Sequence, residues 1–257
     1  MGGMRRLPRS MPIRILIALV GLLAIAWVVL RHIAGASDPV SDREALSTFN
    51  AAPPGSVPAG GPAPGVYRYR ATGSERGGAG PLSISRDTPG AARLVVTSSG
   101  SGWEAELSYS RQHIEGARYE LRDGAIRVTS RRTKVTFAGF GQDERRTVDP
   151  PSVFLPAGAR PGTQWTEAFH TGDVSVSTQN RVLRTEQVAV DGKGLDTLVV
   201  ESRSTTSGVH PGTRTEILWW APALGLPVRW DVNMDIGGVF AFRSRISVAL
   251  VSAIAAR

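Results

Sequence analysis

Apolar and polar residues alternate with a period of two along most of the chain after residue 64. Successive side chains of a β-strand point to opposite faces of a sheet, so this pattern predicts strands with one buried and one solvated face. Clear examples run from Trp103 to Tyr109, from Val228 to Met234 and from Phe240 to Leu250. The last example is the longest, and we expect it to close the sheet.

Turn-forming pairs and triplets separate the candidate strands. They are Thr88-Pro89-Gly90, Asp123-Gly124, Asp191-Gly192 and Gly237-Gly238. Asp-Gly and Gly-Gly tolerate the positive φ angles of tight hairpins, so neighbouring strands should run antiparallel. The pattern supplies about ten to twelve strands, and no amphipathic helix of several turns follows residue 65. The predicted fold class is mainly β: one large curved antiparallel sheet, either an incomplete barrel or a two-layer sandwich, after one N-terminal transmembrane helix.

Residues of opposite charge recur two positions apart on several predicted strands. The clearest sets are Arg118 with Glu120, Arg214 with Glu216 and Arg229 with Asp231. Side chains two positions apart share one face of the sheet. We expect these sets on outward faces, where they would form ion pairs with neighbouring strands and fix the register.

A run of sixteen uncharged residues, Ile15 to Leu30, lies near the start of the chain. The arginines that precede it are Arg5, Arg6, Arg9 and Arg14. Such arginines hold the N-terminal end in the cytoplasm while the chain beyond the apolar run is translocated. The sequence therefore predicts a basic cytoplasmic segment over residues 1–14 and a transmembrane anchor over residues 15–33. The expected location is the cell membrane, with a single span, a cytoplasmic N-terminus and an extracytoplasmic C-terminal domain.

The same run also fits a cleavable signal peptide. Ala34-Gly35-Ala36 has the small-x-small pattern of a cleavage site, and cleavage after Ala36 would give a secreted protein. The run slightly exceeds the usual length of a signal-peptide core and carries Trp27 near its outer end, which favours a retained anchor or uncleaved signal. Both interpretations place the C-terminal domain outside the cytoplasm.

Residues 34–64 are rich in Pro, Gly and Ala. Proline pre-sets an extended backbone, so we expect a linker that holds the following domain away from the bilayer. Within it, Asp42 to Phe49 is expected to form a short helical turn, because Ser41 is a suitable N-cap and Glu44 follows three residues later. The extracytoplasmic β domain then covers residues 65–257.

Composition narrows the classes of function. The chain has no cysteine, which excludes disulfides and thiol catalysis. Five of the 30 basic residues lie before residue 32 and all 22 acidic residues lie after it, so the exported part carries a net charge of only about +3. We therefore expect no nucleic-acid partner.

The sequence lacks the common motifs of catalytic and metal sites. It contains no G-x-S-x-G, S-x-x-K, P-loop or H-E-x-x-H pattern. We expect His113, His170 and His210 in turns or at the surface. No catalytic residue, metal ligand or cofactor is predicted, and an enzyme of unknown type is a remote alternative.

Tryptophans are the strongest candidates for ligand contacts. Trp219 and Trp220 are consecutive, so they should face opposite sides of their sheet, with one of them exposed or against a second layer. A tryptophan beside a concave apolar surface is common in ligand clefts. We therefore take Trp219, Trp220, Trp165 and Trp230 as candidate ligand-binding residues.

Three segments of the C-terminal half carry a family resemblance. They are Pro161-Gly162-Thr163-Gln164-Trp165, Leu195 to Glu201 (LDTLVVE) and Leu218 to Val228 (LWWAPALGLPV). This order resembles a group of poorly characterised bacterial envelope domains with G-x-x-W and W-[YW]-A-P-x-x-G motifs, which are similar to the lipoprotein-carrier architecture. The resemblance covers about residues 155 to 232 and implies a curved antiparallel sheet, sometimes with helices inside it. It assigns no functional residue, and the sequence predicts no such helices here.

Two hypotheses about function follow from these patterns. In the first, the protein is a membrane-anchored extracytoplasmic binding domain whose concave apolar side takes a lipid or another hydrophobic envelope ligand. In the second, the sheet is fully packed without a ligand, and the domain binds an envelope protein through an edge strand or its arginine-rich face.

Overall fold

The structure is a computed structural model that describes residues 37–52, 55–79, 82–137 and 140–256. The predicted cytoplasmic segment, the predicted anchor and the cleavage site after Ala36 lie outside the described residues. Within the described ranges, no helix has the length and apolar character needed to cross a membrane. The anchor, its cleavage and the location of the protein stay predictions.

Thirteen strands and one helix make up the regular structure of the described ranges. The helix is α1 (Asp42–Ala51). The strands are β1 (Gly65–Ala79), β2 (Leu82–Asp87), β3 (Ala91–Ser99), β4 (Gly102–Ser110), β5 (His113–Arg122), β6 (Ala125–Phe137), β7 (Phe140–Leu155), β8 (Gln164–Thr171), β9 (Val174–Val190), β10 (Lys193–Gly208), β11 (Gly212–Ala221), β12 (Leu226–Ile236) and β13 (Ala241–Leu250).

The strands form one antiparallel sheet that closes on itself. β13 pairs with β1, from Tyr69 opposite Leu250 to Gly78 opposite Ala241. The first half of β1 also pairs with β3, and its second half with β2. β2 and β3 thus share one place in the ring, and the sheet is a 12-strand barrel. The mainly β class, the large curved antiparallel sheet and the closing role of the last strand are confirmed, and the barrel is complete.

Two hairpins show why the turns were predictable. β5 and β6 meet at Asp123 and Gly124, whose φ angles are 52° and 73°. β9 and β10 meet at Asp191 and Gly192, whose φ angles are 51° and 72°. Two consecutive left-handed residues match the right-handed twist of the strands, and Asp-Gly adopts that conformation at low cost.

One seam of the barrel has few backbone hydrogen bonds. β7 and β8 share a single paired position, Asp149 opposite His170. Pro150 follows in β7, and proline has no N–H to donate to a neighbouring strand. Trp165 bridges the seam instead, because its indole Nε1 donates to the carbonyl oxygen of Val153 at 2.8 Å.

The main core fills one end of the barrel. Its largest members include Tyr69, Leu94, Trp103, Leu107, Trp220 and Leu226. Part of the predicted linker lies against this end: Val57 packs on the core, and the hydroxyl of Tyr67 donates to the carbonyl oxygen of Ala63 at 2.7 Å.

The short helix predicted inside the linker is confirmed as α1. The hydroxyl of Ser41 accepts from the backbone N–H of Glu44, and the carboxylate of Glu44 accepts from the backbone N–H of Ser41 at 2.9 Å. This reciprocal pair is a capping box, which satisfies donors that the first turn leaves free.

The helix α1 packs on the outer face of β1 and β3. Ala45 forms a small buried cluster with Val66 and Val95. Asp42 forms an ion pair with Arg93 at 2.6 Å. These parts of residues 34–64 lie on the barrel, while the proposed spacing from a bilayer stays a prediction.

Candidate functional site

A cavity of about 760 Å³ occupies the barrel end that the main core leaves open. Its rim lies where β1, β6, β8, β10 and β12 end, and most of its wall is apolar. The wall residues include Ile84, Val135, Phe137, Val176, Met234 and Phe242. Val239 at the rim is 93% exposed, so the apolar surface continues to the mouth.

Strand alternation and one glycine shape this wall. Val135 and Phe137 lie two positions apart on β6, and so share its inner face. A Cβ atom on Gly77 of β1 would lie 2.5 Å from the ring of Phe137 and 2.8 Å from that of Phe240. Glycine at this position therefore leaves room for both rings at the rim.

Beneath the apolar wall, buried ionisable side chains form a group that we term the charged layer. Its members are Glu75, Arg86, His113, Glu115, Arg214 and Glu216. Three are carboxylates and three are basic, so the charges of the layer balance once His113 is protonated. Glu115 lines the large cavity and also a small one of about 60 Å³ inside the core, so this layer separates the two.

His113 lies between two carboxylates in this layer. Its Nδ1 contacts the carboxylate of Glu75, and its Nε2 lies 3.3 Å from Oε1 of Glu115. Arg86 donates from Nε to Glu75 at 2.6 Å. The side chains of His113, Glu75 and Arg86 are no more than 3% exposed. Both ring nitrogens of His113 face acceptors, which suits the doubly protonated imidazolium.

Charge pairing in the layer outweighs the cost of burial. Burial by itself would lower the pKa of His113, but the charge of Glu75 and hydrogen bonds to Glu115 and Glu75 raise that pKa to about 9. Burial would raise the pKa of both carboxyl groups. Instead, His113 lowers the pKa of Glu75, and the charge of Arg214 lowers that of Glu115.

The structure corrects two expectations about these residues. His113 was expected in a turn or at the surface, but it is 1% exposed and starts the inner face of β5. Arg214 and Glu216 were expected to face outward, but Arg214 lines the cavity and pairs with both Glu216 and Glu115. Arg214 and Trp220 are six positions apart on β11, and an even spacing places both side chains on the same, inner face of the strand. This spacing is the feature of the sequence that could have predicted the inward position of Arg214.

A further arginine on the inner face, Arg131 of β6, lies at the floor of the large cavity. It lines both the large and the small cavity. Its guanidinium carbon lies 5.6 Å from the centre of the Phe169 ring. Within the described ranges its side chain has no hydrogen bond or ion pair, although its charge acts on the carboxyl group of Glu167. It stands opposite Arg146 in the pairing of β6 with β7, so two like charges face each other across the strands.

The four candidate tryptophans lie elsewhere. Trp220 and Trp230 line the small cavity with other rings of the core, and Trp165 bridges β7 and β8. Trp219 is on the outer face, where the guanidinium of Arg229 covers its ring at 4.3 Å from the centre. Trp219 and Trp220 do face opposite sides, and each is only 5% exposed. None of the four is among the residues that line the 760 Å³ cavity.

The remaining histidines lie near the open end without forming a metal site. Nδ1 of His170 shares a hydrogen bond of 3.1 Å with the hydroxyl of Ser175, and His210 lines the rim of the large cavity. Among residues 37–52, 55–79, 82–137 and 140–256, no three His, Asp or Glu side chains are placed to hold a metal ion.

Comparison of this chain with protein-family models, with curated proteins and with solved structures finds no match. The cavity and the charges around it are therefore the features of the molecule that bear on its function.

Proposed function

We propose that this protein is a membrane-anchored extracytoplasmic binding domain that takes one hydrophobic or lipid-like molecule into the open end of its barrel. The observation that carries the proposal is the 760 Å³ cavity with its largely apolar wall. Sites for small molecules commonly measure about 300–1,000 Å³, are mostly apolar and contain a few placed polar groups.

The chemistry of the wall favours a hydrocarbon ligand. Val135, Val176, Met234 and Phe242 present aliphatic and aromatic surface to the cavity. Burying apolar surface yields roughly 25 cal/mol per Å², so a ligand that covers this wall gains affinity without directional contacts. The predicted anchor would keep the barrel beside a membrane, and the resemblance to the lipoprotein-carrier architecture agrees with such a role.

The alternative hypothesis, an interaction module with a fully packed sheet and no ligand, leaves this cavity unexplained. A packed interior contains few voids larger than a water molecule. We therefore favour ligand binding over a purely protein-binding role.

The test uses two variants of adjacent residues on β9. Val176→Trp places an indole inside the cavity, whereas Ser177→Trp places the same group on the exposed outer face. The full-length protein and both variants are purified in parallel and extracted with organic solvent, and the released molecules are quantified by mass spectrometry.

We expect a hydrophobic molecule to be recovered with the wild type and with Ser177→Trp, and to be largely lost with Val176→Trp. Lipids bound around the anchor should be equal in all three samples, because the anchor is unchanged. Equal recovery of every molecule from the two variants, in protein that remains folded, would overturn the proposal.

A further inference from the structure

The charges that line the large cavity do not balance. They belong to Arg131, Arg146, Arg214, Glu115 and Glu144. Arg214 pairs with Glu115 at 2.7 Å, and Arg146 pairs with Glu144 at 2.6 Å. Arg131 is the cation left over, so the cavity has one positive charge in excess.

Two neighbours of Arg131 act on its charge in opposite directions. Arg146 stands directly opposite on β7, and like charges in that position repel each other. The carboxylate of Glu167 on β8 interacts electrostatically with Arg131, but its Oε1 accepts a hydrogen bond from the side-chain amide of Asn180 at 2.9 Å. Burial raises the pKa of Glu167, while the charge of Arg131 acts in the opposite direction.

The position of Arg131 sets the direction of binding. Arg131 lies at the floor, where the large and small cavities meet, while Val135 and Phe137 follow on the same face of β6 towards the rim. Arg131 is solvent-accessible, but it lies farther from the mouth than the apolar side chains of Val135 and Phe137. A molecule that matches both must carry its charge at one end and hydrocarbon along the rest.

We infer that the ligand is an amphiphile with an anionic head, a carboxylate or a phosphate, which binds Arg131 at the cavity floor while its hydrocarbon chain lies along the apolar wall. This inference rests on the proposed function and narrows its ligand class. A guanidinium forms two parallel hydrogen bonds with either anion, and such charge-assisted bonds are stronger than those between neutral groups. The anion would also relieve the repulsion between Arg131 and Arg146.

The test compares three probes with the same hydrocarbon chain: oleate, oleyl phosphate and oleyl alcohol. Each is titrated into the delipidated full-length protein held in amphipol, and binding is measured by native mass spectrometry. We expect at least one anionic probe to bind about tenfold or more tighter than the alcohol. The tighter of the two anions distinguishes a carboxylate head from a phosphate head.

Three variants assign this preference to one side chain. Arg131→Gln should bring the anion to the affinity of the alcohol while leaving the alcohol unchanged. Arg131→Lys, which keeps the charge, should retain part of the preference. Arg181→Gln removes an exposed arginine from the outer face of β9 and should change nothing.

The outcomes separate this inference from the proposed function. If the alcohol binds as tightly as both anions, or if Arg131→Gln keeps the preference for an anion, the inference of an anionic head is wrong. The proposed hydrophobic site is unaffected by that result. If none of the probes binds and Val176→Trp is indistinguishable from Ser177→Trp, both proposals fail.

Discussion

Arg214 donates two hydrogen bonds to Glu115, from Nη1 and Nη2, at 2.9 and 2.7 Å, although 99 positions separate them in the chain. The pair links β11 to β5 across the interior of the barrel. Neither side chain is more than 19% exposed. Each charge therefore depends on protein partners for compensation, because little water reaches either group.

Removing either partner of this pair should be costly, and the two losses should not add. We expect Arg214→Met or Glu115→Gln alone to lower the free energy of unfolding by about 3 kcal/mol, because each unbalances the buried charges, even though Arg214 also pairs with Glu216 and Glu115 also contacts His113. The double variant should lose less than the sum of the two. Urea unfolding, followed by tryptophan fluorescence, measures these free energies.

The control for this cycle is the exposed pair of Arg229 and Asp231. Its side chains are 47% and 29% exposed, so Asp231→Asn should cost no more than about 1 kcal/mol. Strict additivity of the Arg214 and Glu115 variants would show that the two side chains do not interact.

His113 predicts a loss of stability in mild alkali. Its pKa is raised from 6.5 to about 9 in the folded protein, so folding favours the protonated ring. This contribution is fully present below about pH 6.5, the ordinary value, and is lost as the pH rises through about 9. Its size is of the order of 3 kcal/mol.

The measurement is the free energy of unfolding of wild type and His113→Gln between about pH 6 and about pH 9.5. The wild type should lose stability over this range relative to the variant, while His170→Gln, on the exposed residue of β8, should follow the wild type. Parallel curves for wild type and His113→Gln would mean that the ring is not protonated in the folded state.

The closure of the barrel depends on Gly73. Its φ angle is 128°, and a Cβ atom there would lie 2.0 Å from the backbone oxygen of Arg245 on β13. The backbone cannot move aside as a flexible side chain would, so Gly73→Ala should destabilise the protein by about 3 kcal/mol or more.

Gly194 on β10 provides the matched control. A Cβ atom there would meet only the end of the Gln187 side chain, at 3.4 Å, so Gly194→Ala should change the free energy of unfolding by less than about 1 kcal/mol. Thermal unfolding by circular dichroism compares the two variants. A Gly73→Ala variant as stable as Gly194→Ala would contradict the observed pairing of β1 with β13.

The fold was predictable from the sequence because its signals are local. Alternation from Trp103 to Tyr109 and the Asp123-Gly124 turn each arise within one strand or one hairpin. The charged layer was not, because Glu75 meets His113 only after the sheet closes, across 38 positions. The charge of Arg214 predicts a position on the surface, whereas its even spacing from Trp220 predicts the inner face of the strand. The structure shows that the spacing is the correct guide here.

The cavity was not predictable for a related reason. Val135 and Val176 look like ordinary core residues in the sequence, and only the three-dimensional arrangement leaves space between them. The size of the tryptophans makes them candidates for ligand contacts, yet Trp220 and Trp230 fill the closed end of the barrel. Size and hydrophobicity predict burial, but they do not tell a packed end of a barrel from an open one.

The most direct test of ligand binding in the barrel is methyl NMR of the full-length protein during titration with oleate. We expect the methyl resonances of Val135, Val176 and Met234, which line the cavity, to shift on binding, while those of Val96 and Leu226 in the main core do not. Shifts confined to the outer surface, or none at all at saturating oleate, would contradict it.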